Sequence, residues 1–173
     1  IAGQHNPTLL DNGNILLFDN GAHRAYTAID FSRVIEVNPE TNKIEWEYKD
    51  DPSFDFNSFI CSGAQRLPNG NTLICESTKG RIFEVTLDGE LVWEFASPFY
   101  YDHALFGTNS MVFRAYRYTD EHPGLRGKEL DPAQYPDVNA LIPRRFVRGR
   151  SSDVPHATGS SFEIGGFRNE DIK

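Results

Sequence analysis

Along the first two thirds of the chain, apolar side chains alternate with polar ones or cluster in short runs between turn residues. Nowhere do they keep the 3.6-residue spacing of an amphipathic helix. Strands are expected near 5–10, 14–19, 33–38 and 43–48, and again near 63–67, 71–77, 81–86 and 91–95. Asn12-Gly13 and Asn69-Gly70 supply the positive φ of tight hairpins between the first two strands of each set. Pro39-Glu40-Thr41-Asn42 and Leu87-Asp88-Gly89-Glu90 turn the last two. Asn109 to Tyr118 reads as one further strand.

The two sets are copies of one another. Leu10-Asp11-Asn12-Gly13-Asn14-Ile15-Leu16 returns as Leu67-Pro68-Asn69-Gly70-Asn71-Thr72-Leu73, Ser32-Arg33-Val34-Ile35-Glu36-Val37 as Gly80-Arg81-Ile82-Phe83-Glu84-Val85, and Trp46-Glu47-Tyr48 as Trp93-Glu94-Phe95. A period of about 50 residues belongs to propellers, solenoids and arrays, and four antiparallel strands per repeat is the blade of a β-propeller. The expected fold is therefore all-β: propeller blades over 1–118, comprising two full repeats and the start of a third, followed by an irregular strap or tail over 119–173. Propellers close with about 4 to 8 blades, so two and a part cannot close alone. The expectation is the C-terminal portion of a longer protein, its remaining blades coming from the same longer chain or from other copies. The start at Ile1, without an initiator Met or a basic-then-apolar leader, fits removal of whatever preceded it.

Charge and composition narrow the partners. Seventeen Lys and Arg against 25 Asp and Glu leave −8 over 173 residues, which speaks against nucleic acid or an anionic membrane surface as partner. No apolar run approaches the roughly 20 residues of a membrane-spanning helix. Residues 1–118 carry −7 of that charge, whereas 119–173 carry −1, five of the ten prolines, and Arg144, Arg145, Arg148 and Arg150. This Arg cluster is expected to clamp onto acidic blade surface or a neighbouring chain. Two cysteines make neither a disulfide framework nor a zinc site. A turn at Asn69-Gly70 sets Ala64 opposite Cys75 and leaves Cys61 too far along to bridge to it.

In an up-and-down blade, the starts of the first and third strands and the end of the second share a rim. His5 and Arg33 fall on one rim, and His23 lies in the long connection from Asn20 to Ser32. A fixed guanidinium fork suits anionic oxygens, and a neutral imidazole suits nucleophilic or base chemistry. A hydrogen-bonded structural histidine explains the same position, and Arg33 has a repeat partner in Arg81.

Gln4-His5-Asn6-Pro7-Thr8-Leu9-Leu10-Asp11-Asn12-Gly13-Asn14-Ile15-Leu16-Leu17-Phe18-Asp19-Asn20-Gly21 resembles the histidine-bearing motif of the arylsulfotransferase family. Ser32 to Val37, Trp46-Glu47-Tyr48, Ser62 to Ile74 and Val112 to Tyr118 continue the likeness in the family's order, over roughly 4–127. The resemblance implies a six-bladed propeller, periplasmic or secreted. It further implies sulfuryl transfer from a phenolic sulfate donor to a phenol acceptor, without a nucleotide or other cofactor, through a transiently sulfurylated histidine. By the same resemblance His5 and Arg33 become sulfate-site candidates, and His103 in Tyr101-Asp102-His103 a candidate for the nucleophile. Two other readings compete. Val37 to Trp46 also resembles the tryptophan motif of quinoprotein dehydrogenases, and repeated blades with a Pro-rich strap suit an extracellular assembly protein without turnover.

Overall fold

Ten strands and almost no helix make up the described residues, 1–25, 27–129, 131–134 and 136 of the computed structural model. Strands β1 (Gln4–Leu9), β2 (Ile15–Asp19), β3 (Arg33–Asn38) and β4 (Lys43–Tyr48) form one antiparallel sheet in chain order. Strands β5 (Gly63–Arg66), β6 (Thr72–Glu76), β7 (Arg81–Val85) and β8 (Leu91–Ala96) form a second in the same order. A short hairpin of β9 (Tyr101–His103) and β10 (Gly107–Asn109) follows. Among the described residues no helix is long and apolar enough to cross a membrane.

The registers repeat as closely as the sequence does. Glu36 stands opposite Trp46 and Glu84 opposite Trp93, each just before a shift in register. The first strands differ. His5 pairs with Phe18 and Thr8 with Leu16, so Asn6 and Pro7 together stand against Leu17 in a bulge, with Asn6 at φ 52°. β5 has no bulge: Gly63 pairs with Cys75 and Ala64 with Ile74, one residue off the expected partnership of Ala64 with Cys75. Both cysteines are free.

The sheets meet through one face of each. Alternation brings Leu16, Phe18, Val34 and Tyr48 against Ala64, Ile74, Phe83 and Val85, all buried. Each large side chain so covered contributes about 1.5–3 kcal/mol. The connection between the sheets contributes to this core as well. Phe56 is fully buried, its ring centroid 5.4 Å from Phe18, 5.6 Å from Tyr48 and 5.7 Å from Phe83, in edge-on contacts.

A polar latch sits at the turn end of this interface, and it occurs twice. In the first unit Glu36 accepts from Asn12 (2.9 Å) and Asn14 (2.7 Å) of the β1–β2 turn and from Arg66 of the second sheet (2.8 Å), whose guanidinium lies 4.6 Å over Trp46. In the second unit Glu84 accepts from Asn69, Asn71 and Arg117, and Arg117 lies 4.7 Å over Trp93. Burial pushes both carboxyls up. The Asn hydrogen bonds and the Arg partner outweigh it and hold them below the usual carboxylate range.

The strand expected over 109–118 is not formed. β10 ends at Asn109, and 110–118 joins no ladder among the described residues. Its attachments are scattered: Val112 N–H to the Ser77 carbonyl (3.2 Å), Ser62 N–H to Phe113 (3.3 Å), and both backbone groups of Arg117 to the Gln65 side chain (3.0 and 2.8 Å). Apolar alternation is present there, but a ladder also needs a neighbouring strand. Arg144, Arg145, Arg148 and Arg150, with the clamp expected of them, lie outside the described residues.

Candidate active site

His5 begins beside the end of β2, where Asn20 is the first residue past the strand. Its Nδ1 lies 2.7 Å from Asn20 Oδ1 and 3.0 Å from the Gly3 carbonyl. The other end of the Asn20 amide decides the protonation. Nδ2 donates to the carbonyls of Ser58 (2.6 Å) and Cys61 (3.1 Å), so the amide oxygen must face the ring. Facing two acceptors, Nδ1 carries the proton of the neutral imidazole, and the lone pair stands on Nε2. Nε2 has no hydrogen-bond partner among the described residues.

Asn20 is itself fully buried within a serine network. Ser32 Oγ donates to the Asn20 carbonyl (2.8 Å), Ser58 N–H donates to Ser32 Oγ (2.8 Å), and Ser62 Oγ bonds Ser58 Oγ (2.8 Å). The turn so gripped contains Cys61 at φ 57° and Ser62 at φ 79°, a left-handed pair that non-glycine residues adopt only under constraint from their surroundings.

Arg33 stands at the same end of the sheet but on the opposite face. Asp19, next to Phe18 in the pleat, faces Arg33, whereas His5 pairs with Phe18. The Arg33 guanidinium is divided between Asp19 (Nε, 2.8 Å) and Glu47 (Nη1, 2.8 Å). Asp19 is fully buried, which by itself pushes its carboxyl up. The Ala2 N–H, the Arg33 hydrogen bond and the charges of Arg24 and Arg33 reverse this and hold it below the usual range. The same arrangement recurs at Arg81, held between Glu76 and Glu94. His23 lies in the connection after β2 at φ 67°.

His103 ends β9. Its Nδ1 accepts the Leu105 N–H (3.1 Å), so the neutral ring carries its proton on Nε2. This is the opposite tautomer to His5. The ring stacks on Phe106 at 4.7 Å and lines a half-open pocket of about 190 Å³ with Ile60, Tyr101, Met111 and Phe113.

The arylsulfotransferase (ASST) family matches this chain over residues 2–98, more than half its length. The chain belongs to that family. No curated protein and no solved structure matches it. Membership implies, in general, arylsulfate sulfotransferase activity, with an aryl sulfate as donor and a phenol as acceptor. The matched stretch covers both four-stranded sheets, with His5, Asn20 and Arg33, and stops before β9 and His103. Trp46, which ends the stretch that raised the quinoprotein reading, and its repeat counterpart Trp93 each lie under a guanidinium at the junction of two chain segments. Among the described residues no group of three or more His, Cys, Asp or Glu is placed to hold a metal ion.

Asn20 carries no signal in the sequence that points to His5. An asparagine after a strand is an ordinary turn residue, and only its place at the start of the long 20–32 connection sets it apart.

Proposed function

We propose that His5 is the nucleophile of a sulfuryl transfer from a phenolic sulfate to a phenol. The observation that carries this reading is the Asn20-held Nδ1–H, which leaves a lone pair on an unpartnered Nε2. His103 has its proton on Nε2 and its lone pair occupied, so it is the weaker candidate. In the first half-reaction Nε2 bonds to sulfur as the bond from sulfur to the aryl oxygen breaks, and the phenolate leaves with the electron pair. In the second, the acceptor oxygen bonds to sulfur, the N–S bond breaks and returns its pair to Nε2, and the acceptor's proton passes to the departed phenolate or to water. No nucleotide enters either step. Asn20 Oδ1 keeps its bond to Nδ1–H while the ring gains positive character, as the orienting acceptor does in a hydrolytic triad.

Arg33, shared by two carboxylates, serves this reading as a positioning residue: it anchors Asp19, the residue before Asn20. The architecture belongs to the same proposal. The two sheets are taken as blades of a propeller and 110–118 as the innermost strand of the next, supported by Arg117, which repeats toward Glu84 and Trp93 what Arg66 does toward Glu36 and Trp46.

Mixed with a chromogenic aryl sulfate and no acceptor, the protein should release a burst of phenolate and gain one SO3 group on the peptide containing His5. His5→Ala should lower turnover about 100-fold or more, the scale of losing one preorganised catalytic group. A modified His103, or an unimpaired His5→Ala protein, would overturn the assignment.

A further inference from the structure

Regular alternation would put Asn6 on the opposite face of β1 from His5, and the bulge undoes this. His5 pairs with Phe18, whose side chain lies in the core between the sheets. Asn6, at φ 52°, turns toward the second sheet as well, where its Nδ2 donates to the Ala64 carbonyl at 3.2 Å. Gly63 leaves room for it, since a Cβ there would come within 2.8 Å of the Asn6 amide. With Nδ2 on a carbonyl, Oδ1 is the end that faces Tyr116, and it accepts the Tyr116 hydroxyl proton at 3.2 Å. The Tyr116 oxygen in turn accepts from Arg114 Nη1 at 2.9 Å. The direction of donation is thereby fixed from Arg114 through Tyr116 and Asn6 to the β5 backbone, and the chain of bonds ends on the residue next to His5.

Arg114 differs from the arginines around it. Arg24, Arg33, Arg66, Arg81 and Arg117 each hold a carboxylate, and Arg33 holds two on the other face of the first sheet. Arg114 is exposed, has no ion pair among the described residues, and makes its side-chain hydrogen bond through Nη1 to Tyr116 alone. Its guanidinium carbon lies 5.5 Å from the centre of the Phe113 ring and 5.9 Å from that of Tyr116. Nε–H and the Nη2 hydrogens are left over, and a planar fork with open N–H groups is the arrangement that takes two oxygens of one anion at once. An aryl sulfate carries one negative charge, in a chain whose net charge of −8 repels it.

We propose that Arg114, held by Tyr116 and Asn6, is the sulfate-binding residue beside His5, its free N–H groups taking two oxygens of the sulfuryl group. Its use in turnover rests on the sulfuryl-transfer reading; the binding of sulfate does not. Arg114 and Tyr116 lie beyond the matched stretch, 2–98, so family membership does not supply this role.

The binding is tested with inorganic sulfate, titrated into the full chain at constant ionic strength held with chloride. In the NMR spectrum of the arginine Nε–H groups, the signal that Arg114→Lys removes should shift saturably. No saturable shift of that signal overturns the proposal, and this is read on the unsubstituted protein whether or not a variant folds. With a chromogenic aryl sulfate, Arg114→Ala should lower kcat/KM about 100-fold, the scale of losing one preorganised charge-stabilising group. Arg114→Lys should recover only part of it, because an ammonium lacks the fork. Added guanidinium ion should restore turnover to Arg114→Ala, which a merely structural arginine would not show, and Tyr116→Phe should cost about tenfold, the worth of one hydrogen bond to the guanidinium. Undiminished turnover in Arg114→Ala, with His5 still gaining its SO3 group, overturns the proposal and leaves the His5 reading standing. A saturable shift at Arg114 together with an unimpaired His5→Ala protein does the reverse: the sulfate site stands and the His5 reading falls.

Discussion

Removing the Asn20 carboxamide would strand the Cys61 carbonyl and leave the Ser58 carbonyl with Ser32 Oγ alone and the Nδ1–H of His5 with the Gly3 carbonyl alone. Asn20→Ala should therefore lower kcat about tenfold, the worth of a lost hydrogen bond on a ring then held by the Gly3 carbonyl alone, with a smaller change in KM. Equal losses in kcat and in thermal stability across a series of Asn20 variants would reduce its role to packing. The buried carboxylates offer a second residue-scale test. Asp19, Glu36 and Glu84 are all held below their ordinary range in the folded protein, so the unfolded chain takes up protons first as pH falls. Their stabilisation is present above about pH 4, the ordinary carboxylate value, and is lost as pH drops through the lower folded values. The melting temperature should be flat near neutrality and fall below that point, and Glu36→Gln should cost about 2 kcal/mol at pH 7 while flattening the acid limb. His5 was legible in the sequence because a motif surrounds it. Asn20 was not, because the backbone acceptors that give it meaning lie 38 and 41 positions away and carry no side-chain signature.

At the level of elements, period-two alternation and the Asn-Gly turns located eight strands to within a residue or two, since each has a partner strand from its own hairpin or the next. Where the partner is missing, over 110–118, the same alternation misled. The β9–β10 hairpin escaped notice because strands of three residues are too short for a period to show. Phe56 escaped for a different reason: a single aromatic in a connection has no periodicity at all, yet here it fills the space between both sheets. Phe56→Ala should destabilise the protein by about 3–5 kcal/mol, read by denaturant titration. A cost below about 1 kcal/mol would mean that the sheets close over the gap and that Phe56 is not the wedge between them.

For the whole molecule, the repeat read from the sequence has a physical counterpart beyond strand order. The two sheets share no backbone ladder; side chains join them, through the aromatic core and the latch of Arg66 on Glu36 and Trp46. Arg117 makes the same latch one unit further on. Because the chain holds two tryptophans and each lies under one of these guanidiniums, every junction carries its own optical gauge. Trp46 also donates from Nε1 to the Leu87 carbonyl at 2.8 Å, while Trp93 is 43% exposed, so the two should emit at different wavelengths. In a Trp93→Phe background, Arg66→Ala should move the remaining emission and Arg117→Ala should not; in a Trp46→Phe background the pattern should reverse. Emission that responds to the distant arginine as strongly as to the near one would mean that the junctions open as one. Independent responses would let the parting of each pair of units be followed by its own colour, with no dye attached.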